Sequence, residues 1–326
     1  MMLTRICVCA LASLSLWGAP SDAVASAAPF EFHSNFWINL HHFLYQQAME
    51  ESRGRAKPEG DAAWNDAVQF YKTNVIGRDL LFDRGMNRID TALASADSPL
   101  RDDTAALDKN LRTILNAAAP IYRARWWPAH DRANRFWIRA TVPLVDELSA
   151  RLTQQIATAY EVQWPAAPVR VDVAVYANWA GAYTWGTNPI HTLASSTNAG
   201  YQGFAALEML FHEASHGLVG EPGGRLVDAI ARECKAADIP VPDDLLHVFI
   251  FYTAGELARR DLAEYGVTGY EPYASKNGLY ARAGWTRYEE ALDLFWKPHL
   301  DGALSLDEAV GKVVQALAAT GRRTLP

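Results

Sequence analysis

The chain has 326 residues, 50% hydrophobic and 21% charged, with 21 Gly and 16 Pro, a composition that excludes disordered, collagen-like and low-complexity architectures. Thirty Lys and Arg against 37 Asp and Glu leave a formal charge of −7, and no basic run is dense enough to neutralise a line of phosphates. No nucleic-acid partner is therefore expected, and the length suits roughly two domains or lobes whose cores need no disulfides.

Residues 1–27 read as a secretory signal peptide. Arg5 supplies the positive region, Ile6 to Trp17 the apolar run, and Ala25-Ser26-Ala27 a small-residue cleavage site. The expected mature chain begins near Ala28 and is exported, to the periplasm or as a secreted protein. The apolar run falls short of the roughly 20 residues of a membrane span, and no later segment reaches that length uncharged. No membrane span is expected in the mature chain. Losing the leader removes Cys7 and Cys9 and leaves Cys234 alone, so no disulfide within one mature chain is expected, and Cys234 reads as an inert, partly buried thiol.

From Phe36 to Tyr160 the apolar spacing is helical. Trp64, Val68, Tyr71, Val75 and Leu81 follow one stripe, Leu107, Leu111, Ile114 and Leu115 another, and Leu144, Leu148, Leu152 and Ile156 a third. Pro99, Pro120, Pro128 and Pro143 are expected at helix starts or breaks. After Trp164 the period changes to two: Val169, Val171, Val173 and Val175 alternate with Arg170, Asp172 and Ala174 as a half-buried strand. Further strands are expected over 182–185 and 190–195, joined by a turn over 186–189. Helices then resume at about 200–218, 243–265, 286–296 and 306–319. The predicted fold class is mainly α, α+β: a helical lobe over 28–165 and a second lobe over 166–326 with a small sheet.

The segment that carries chemistry is the helix 200–218, which contains His212-Glu213-Ala214-Ser215-His216, the pattern H-E-x-x-H. Two His four apart lie about 40° from each other around a helix, so both imidazoles can reach one Zn²⁺ while Glu213 is aimed to polarise the water it binds. Asn198 is the expected N-cap, Phe204, Leu207, Leu210 and Phe211 the apolar stripe, and Gly217 with Gly220 the stop. Glu208, one turn before His212, reads as a solvated helix carboxylate.

In this motif the chain resembles the zincin metallopeptidases. The resemblance covers about residues 169–300 and implies that the strand 190–195 lies along the cleft before the active-site helix, making 166–326 a zincin-like metallohydrolase lobe. The metzincin continuation is absent, because Val219 and Pro222 stand where its Gly and His would be. What remains is a gluzincin-like site, in which Glu256, in an apolar helix where an unpaired carboxylate is costly, completes the zinc ligands His212 and His216. His247, Glu233 and Asp228 are the rival third ligands. His247 and Glu256 lie about 180° apart around one helix and cannot both bind the same ion. Arg260 stands where gluzincins often carry an acidic residue, leaving Asp261, Glu208 or Asp228 to orient a ligand imidazole.

The resemblance further implies that Glu213 is the catalytic base, that zinc activates water and polarises the scissile carbonyl, and that a downstream Tyr donates to the oxyanion. Tyr280 is the expected donor, with Tyr270 and Tyr273 as rivals. His130 reads as a structural histidine or as part of a cleft wall. The expected function is a zinc-dependent metallopeptidase acting on a peptide or cell-envelope substrate. A metallohydrolase of a non-peptide amide or ester, and an exported binding protein on an inactive zincin scaffold, are the alternatives; retention of Glu213 speaks against the last.

Overall fold

The computed structural model describes residues 23–323 apart from 59, 60, 97, 98, 103, 105, 106, 221 and 222. The charged and apolar parts of the expected leader, with Cys7 and Cys9, lie outside the described residues, as does Pro222. Strands β1 (Ala23–Ala27) and β2 (Phe30–His33) precede five helices, α1 (Phe36–Ser52), α2 (Ala62–Asn74), α3 (Arg84–Ala94), α4 (Lys109–Arg125) and α5 (Trp127–Tyr160). Strands β3 (Val169–Ala174), β4 (Ala182–Trp185) and β5 (His191–Ser195) follow. The remainder is helical: α6 (Phe204–Val219), α7 (Arg225–Ala236), α8 (Leu245–Glu264), α9 (Tyr273–Lys276), α10 (Leu279–Arg282) and α11 (Thr286–Ala291), then a π-helical turn over Leu292–Trp296, α12 (Lys297–Leu300) and α13 (Leu306–Arg323). The fold is mainly α, α+β.

Period-two alternation gives the sheet two apolar faces. Phe30, Phe32, Val169, Val171, Val173, Ala182 and Ala194 join a core with α5, α6, α8 and α13, whereas Ala174, Tyr183, Trp185 and Leu193 join another with α1 to α4. The strand order is β1-β2-β3-β5-β4, parallel at β2/β3 and β3/β5 and antiparallel at both edges. Residues on both sides of position 165 thus build one sheet. The expected cleavage site falls inside β1, whose last residue, Ala27, is buried.

Four local expectations are corrected. The strand against α6 at the sheet's edge is β4, while β5 lies inside between β3 and β4, because the turn at Gly186 folds β4 back along β5. Gly186 there has φ +71°, and a Cβ would lie 2.7 Å from the Pro189 carbonyl oxygen, so a side chain is excluded twice over. Pro120 and Pro143 sit inside α4 and α5 without ending them, while Pro128 takes the first turn of α5, where its missing N–H costs nothing. Both internal prolines are exposed, so the carbonyls they free can turn to water, and the buried stripes on the opposite faces hold the helices together. Asn198 does not cap α6; its side chain accepts from Gly200 N–H in a local turn, and Gly203 is the cap. The amphipathic helix α7 is additional to the expected set.

Candidate metal centre

Helix α6 is apolar nearly all round and buried, the pattern of a helix enclosed by other elements. It runs against β4 on one side and α8 on the other. Gly217 permits that closeness: a Cβ there would lie 2.6–2.8 Å from the Ile190 side chain. Gly255 plays the same part on α8, where a Cβ would lie 2.8 Å from Pro272 Cβ and 3.2 Å from Glu208 Oε1. Gly220 ends α6, its N–H bonding the His216 carbonyl.

Between α6 and α8 three imidazoles converge. His216 Nε2 is 3.2 Å and His247 Nε2 3.4 Å from His212 Nε2. Three Nε2 atoms turned on one another cannot all be satisfied by sharing protons; their lone pairs together form a donor set for a cation. Burial holds all three neutral, His247 at about 4, His216 at about 3 with His247 adding to the effect, and His212 well below its ordinary value with both neighbours adding. Neutral imidazole is the form that binds metal. The Phe251 ring lies 3.9 Å from that of His212 and 4.7 Å from that of His247, and Trp285 closes the far side at 5.7 Å from His247. These groups can hold a metal ion.

The structure corrects the third member of the set. Glu256 lies on the opposite face of α8, bonded at 2.8 Å by Arg259 Nε, Arg259 Nη2 and Arg260 Nε, with Lys297 at 3.8 Å. Burial opposes its ionisation, but the two guanidinium groups outweigh burial and hold the carboxyl below its ordinary range. A carboxylate so committed has no free oxygen for an ion beside His212. Of the other rivals, Asp228 is exposed on α7 and Glu233 pairs with Arg232 at 3.0 Å. None of the expected acidic residues orients an imidazole: Asp261 takes Arg151 and Gln155, Glu208 serves Tyr270 and Tyr273, and His212 Nδ1 has no hydrogen-bond partner.

Glu213, one residue on from His212, is buried, and its Oε2 accepts from the Thr184 hydroxyl of β4 at 2.9 Å. Burial pushes the carboxyl up to about 8, with the Thr184 bond opposing. Thr184 also meets Thr192 of β5 at 2.9 Å, so the Glu213 carboxyl is fixed to the sheet. Glu208 is fully buried, against the expected solvated carboxylate, because the 270–273 segment folds over it: Tyr270 donates at 2.5 Å, and the Tyr273 N–H lies 3.0 and 2.9 Å from its two oxygens.

This segment also decides among the tyrosines. Tyr273 stacks on Phe251 with ring centroids 6.4 Å apart and meets Tyr201 at 5.3 Å. Tyr270 is committed to Glu208. Tyr280 is buried, and burial with the surrounding carboxylates of Glu289, Glu208 and Asp293 raises its phenol far above the ordinary range; no ring contact joins it to the three imidazoles among the described residues. Tyr273 therefore replaces it as the phenol nearest the centre's aromatic wall. His130 bonds Tyr122 at 2.8 Å and packs on Phe43, a structural role. Cys234 is free and wholly buried. Thr184 and Tyr201 were not legible as site residues, since nothing in a strand or loop sequence marks which side chain faces a distant helix. No helix among the described residues is long and apolar enough to cross a membrane. No protein-family profile, curated protein or solved structure matches the chain.

Proposed function

We propose that the chain is a zinc-dependent hydrolase, a metallopeptidase of zincin-like design, with His212, His216 and His247 as metal ligands and Glu213 as general base. The observation that carries this reading is the convergence of His216 Nε2 and half-buried His247 Nε2 on the buried His212 Nε2, at 3.2 and 3.4 Å, beside a carboxylate on the same helix. Three imidazoles suit a zinc-class ion and leave one position open. Such an ion, when bound, supplies a Lewis acid for a carbonyl oxygen and makes water nucleophilic at neutral pH.

The chain's own groups supply the rest. Glu213 takes a proton from the attacking water and returns it to the departing amine. The Thr184 hydroxyl fixes the oxygen that does this. Strand β4 is the sheet edge beside α6, with no further strand outside it among the described residues, and the backbone groups along that edge are those an extended peptide pairs with. That edge favours a peptide, free or in the cell envelope, over a small ester. Tyr273 is the donor to the developing negative charge on the carbonyl oxygen. Export through the leader 1–27 belongs to the same reading; N-terminal sequencing of the mature chain tests it and decides whether β1 is retained.

Glu213→Gln is the test of function. It should keep the metal and the fold while hydrolysis of a peptide library falls by about 10³ or more, because the amide oxygen still accepts from Thr184 but is too weak a base to take the water's proton. Turnover unchanged in that variant would refute the assignment of the base, and a metal-replete wild type that cleaves no peptide would refute the peptidase.

A further inference from the structure

A second cluster lies on the other face of the sheet. His41 and His42 of α1 and Asp90 of α3 are all fully buried, and their ligand-type atoms lie within 4.8 Å of one another. His42 Nε2 is 3.2 Å from Asp90 Oδ1, and His41 Nε2 is 3.9 Å from the same oxygen. Tyr183 of β4 donates to Asp90 Oδ2 at 2.7 Å and stands 3.3 Å from His42 Nε2.

The outer nitrogens are anchored. His41 Nδ1 meets the Tyr71 hydroxyl at 2.7 Å and His42 Nδ1 the Ala177 carbonyl at 2.8 Å. A carbonyl only accepts, so His42 carries its proton on Nδ1, and neutral His42 turns an Nε2 lone pair on a carboxylate oxygen. His41 Nε2 has no hydrogen-bond partner although it is wholly buried. Two conflicts thus meet at one point: a lone pair facing an anion, and an orphaned ring nitrogen aimed at the same oxygen. A cation between the three groups resolves both. Nδ1 held by a carbonyl or hydroxyl, with Nε2 directed inward, is the outer arrangement that orients ligand histidines.

We infer a second metal site, formed by His41 Nε2, His42 Nε2 and Asp90 Oδ1, for a zinc-class divalent cation. Two imidazoles and a carboxylate match a borderline ion, and a tetrahedral zinc with bonds of about 2.0–2.1 Å spaces its ligands by roughly 3.3 Å, close to the shorter separation here. The site has no solvent-facing side, so its ion is structural. It ties α1 to α3 and, through Tyr183, to β4. Tyr183 precedes Thr184, the residue that bonds Glu213 from the opposite face of the same strand, so the buried ion backs the strand that positions the base.

The inference is independent of the hydrolase reading, and metal counting separates them. The chain is expressed in zinc-replete medium and zinc is measured per folded molecule by mass spectrometry, with circular dichroism confirming the fold. Wild type should carry two ions, and His212→Gln/His216→Gln/His247→Gln should keep one. X-ray absorption of that remaining zinc should show nitrogen and oxygen ligands with imidazole scattering, and chelation of it should lower Tm. Adding His41→Gln or Asp90→Asn to the triple variant should remove it. A folded triple variant that holds less than about a tenth of an equivalent would overturn the proposal. Zinc that survives the added His41→Gln and Asp90→Asn would overturn it equally. Should wild type hold a single ion that persists in the triple variant, the hydrolytic metal fails and the buried site stands.

Discussion

Replacing Glu208 by Gln tests how the loop that carries Tyr273 is held against α6. Both carboxylate oxygens are used, by the Tyr270 hydroxyl and the Tyr273 N–H, and neither reaches water. Burial raises this carboxyl from 4.5 to about 7, with the two bonds opposing. The folded chain therefore holds the proton more tightly than the unfolded chain. The stability contributed by that preference is fully present below the unfolded value and is lost as pH rises through about 7. An offset of this size corresponds to about 3 kcal/mol. Glu208→Gln has no proton to lose, so this slope should vanish. In urea denaturation of the metal-free proteins from about pH 4 to pH 8, wild type should lose up to about 3 kcal/mol relative to the variant. At the acid end the two proteins should be about equally stable, since Glu208 is then protonated and as neutral as the amide. Other titrating groups cancel in the difference, so a pH-independent gap between the two proteins would refute the claim that burial governs Glu208.

Further outcomes follow from the packing around the centre. His247→Ala should abolish tight zinc binding in equilibrium dialysis at the hydrolytic site, whereas Glu256→Gln should leave it intact and cost about 1 kcal/mol, since Arg259 is partly exposed and screened. Loss of metal confined to Glu256→Gln would restore the carboxylate as ligand. Gly217→Ala places a methyl 2.6–2.8 Å from Ile190 and should destabilise the chain by about 1–3 kcal/mol in chemical denaturation, partly relieved by Ile190→Val. An unchanged midpoint would mean that α6 and the start of β5 are not in close contact. Tyr273→Phe should lower kcat by about tenfold or more with zinc retained, and Tyr280→Phe should leave kcat unchanged. The reverse pattern in steady-state kinetics would return the donor role to Tyr280.

The elements whose information is local were legible in the sequence. Helical stripes in α2 and α5, the alternation of β3, the bounds of β4 and the spacing of His212, Glu213 and His216 follow from periods of 3.6 and 2, which neighbouring residues fix by themselves. The same periodicity showed that His247 and Glu256 could not both serve one ion. Strands β1 and β2 were not legible, being short, and β1 stands where a leader is expected; they are strands because β3 supplies the partner of β2 and β2 that of β1.

Which of the two residues on α8 faces the imidazoles was decided only in three dimensions. Helical phase sets the angle between them, but the rotation of α8 follows from packing, with Phe249, Thr253 and Trp296 buried on its inner side. That rotation turns His247 towards α6 and Glu256 towards Arg259, Arg260 and Lys297. The Arg pair three and four residues after Glu256 was a local sign of this outcome, since such spacing places opposite charges together on a helix. The gathering of Thr184, Tyr273 and Glu208 around the centre, and of His41, His42, Asp90 and Tyr183 beneath it, left no local sign. Those groups are separated by up to 141 residues in the chain, as His42 is from Tyr183, and they meet because a sheet with two apolar faces must be covered on both.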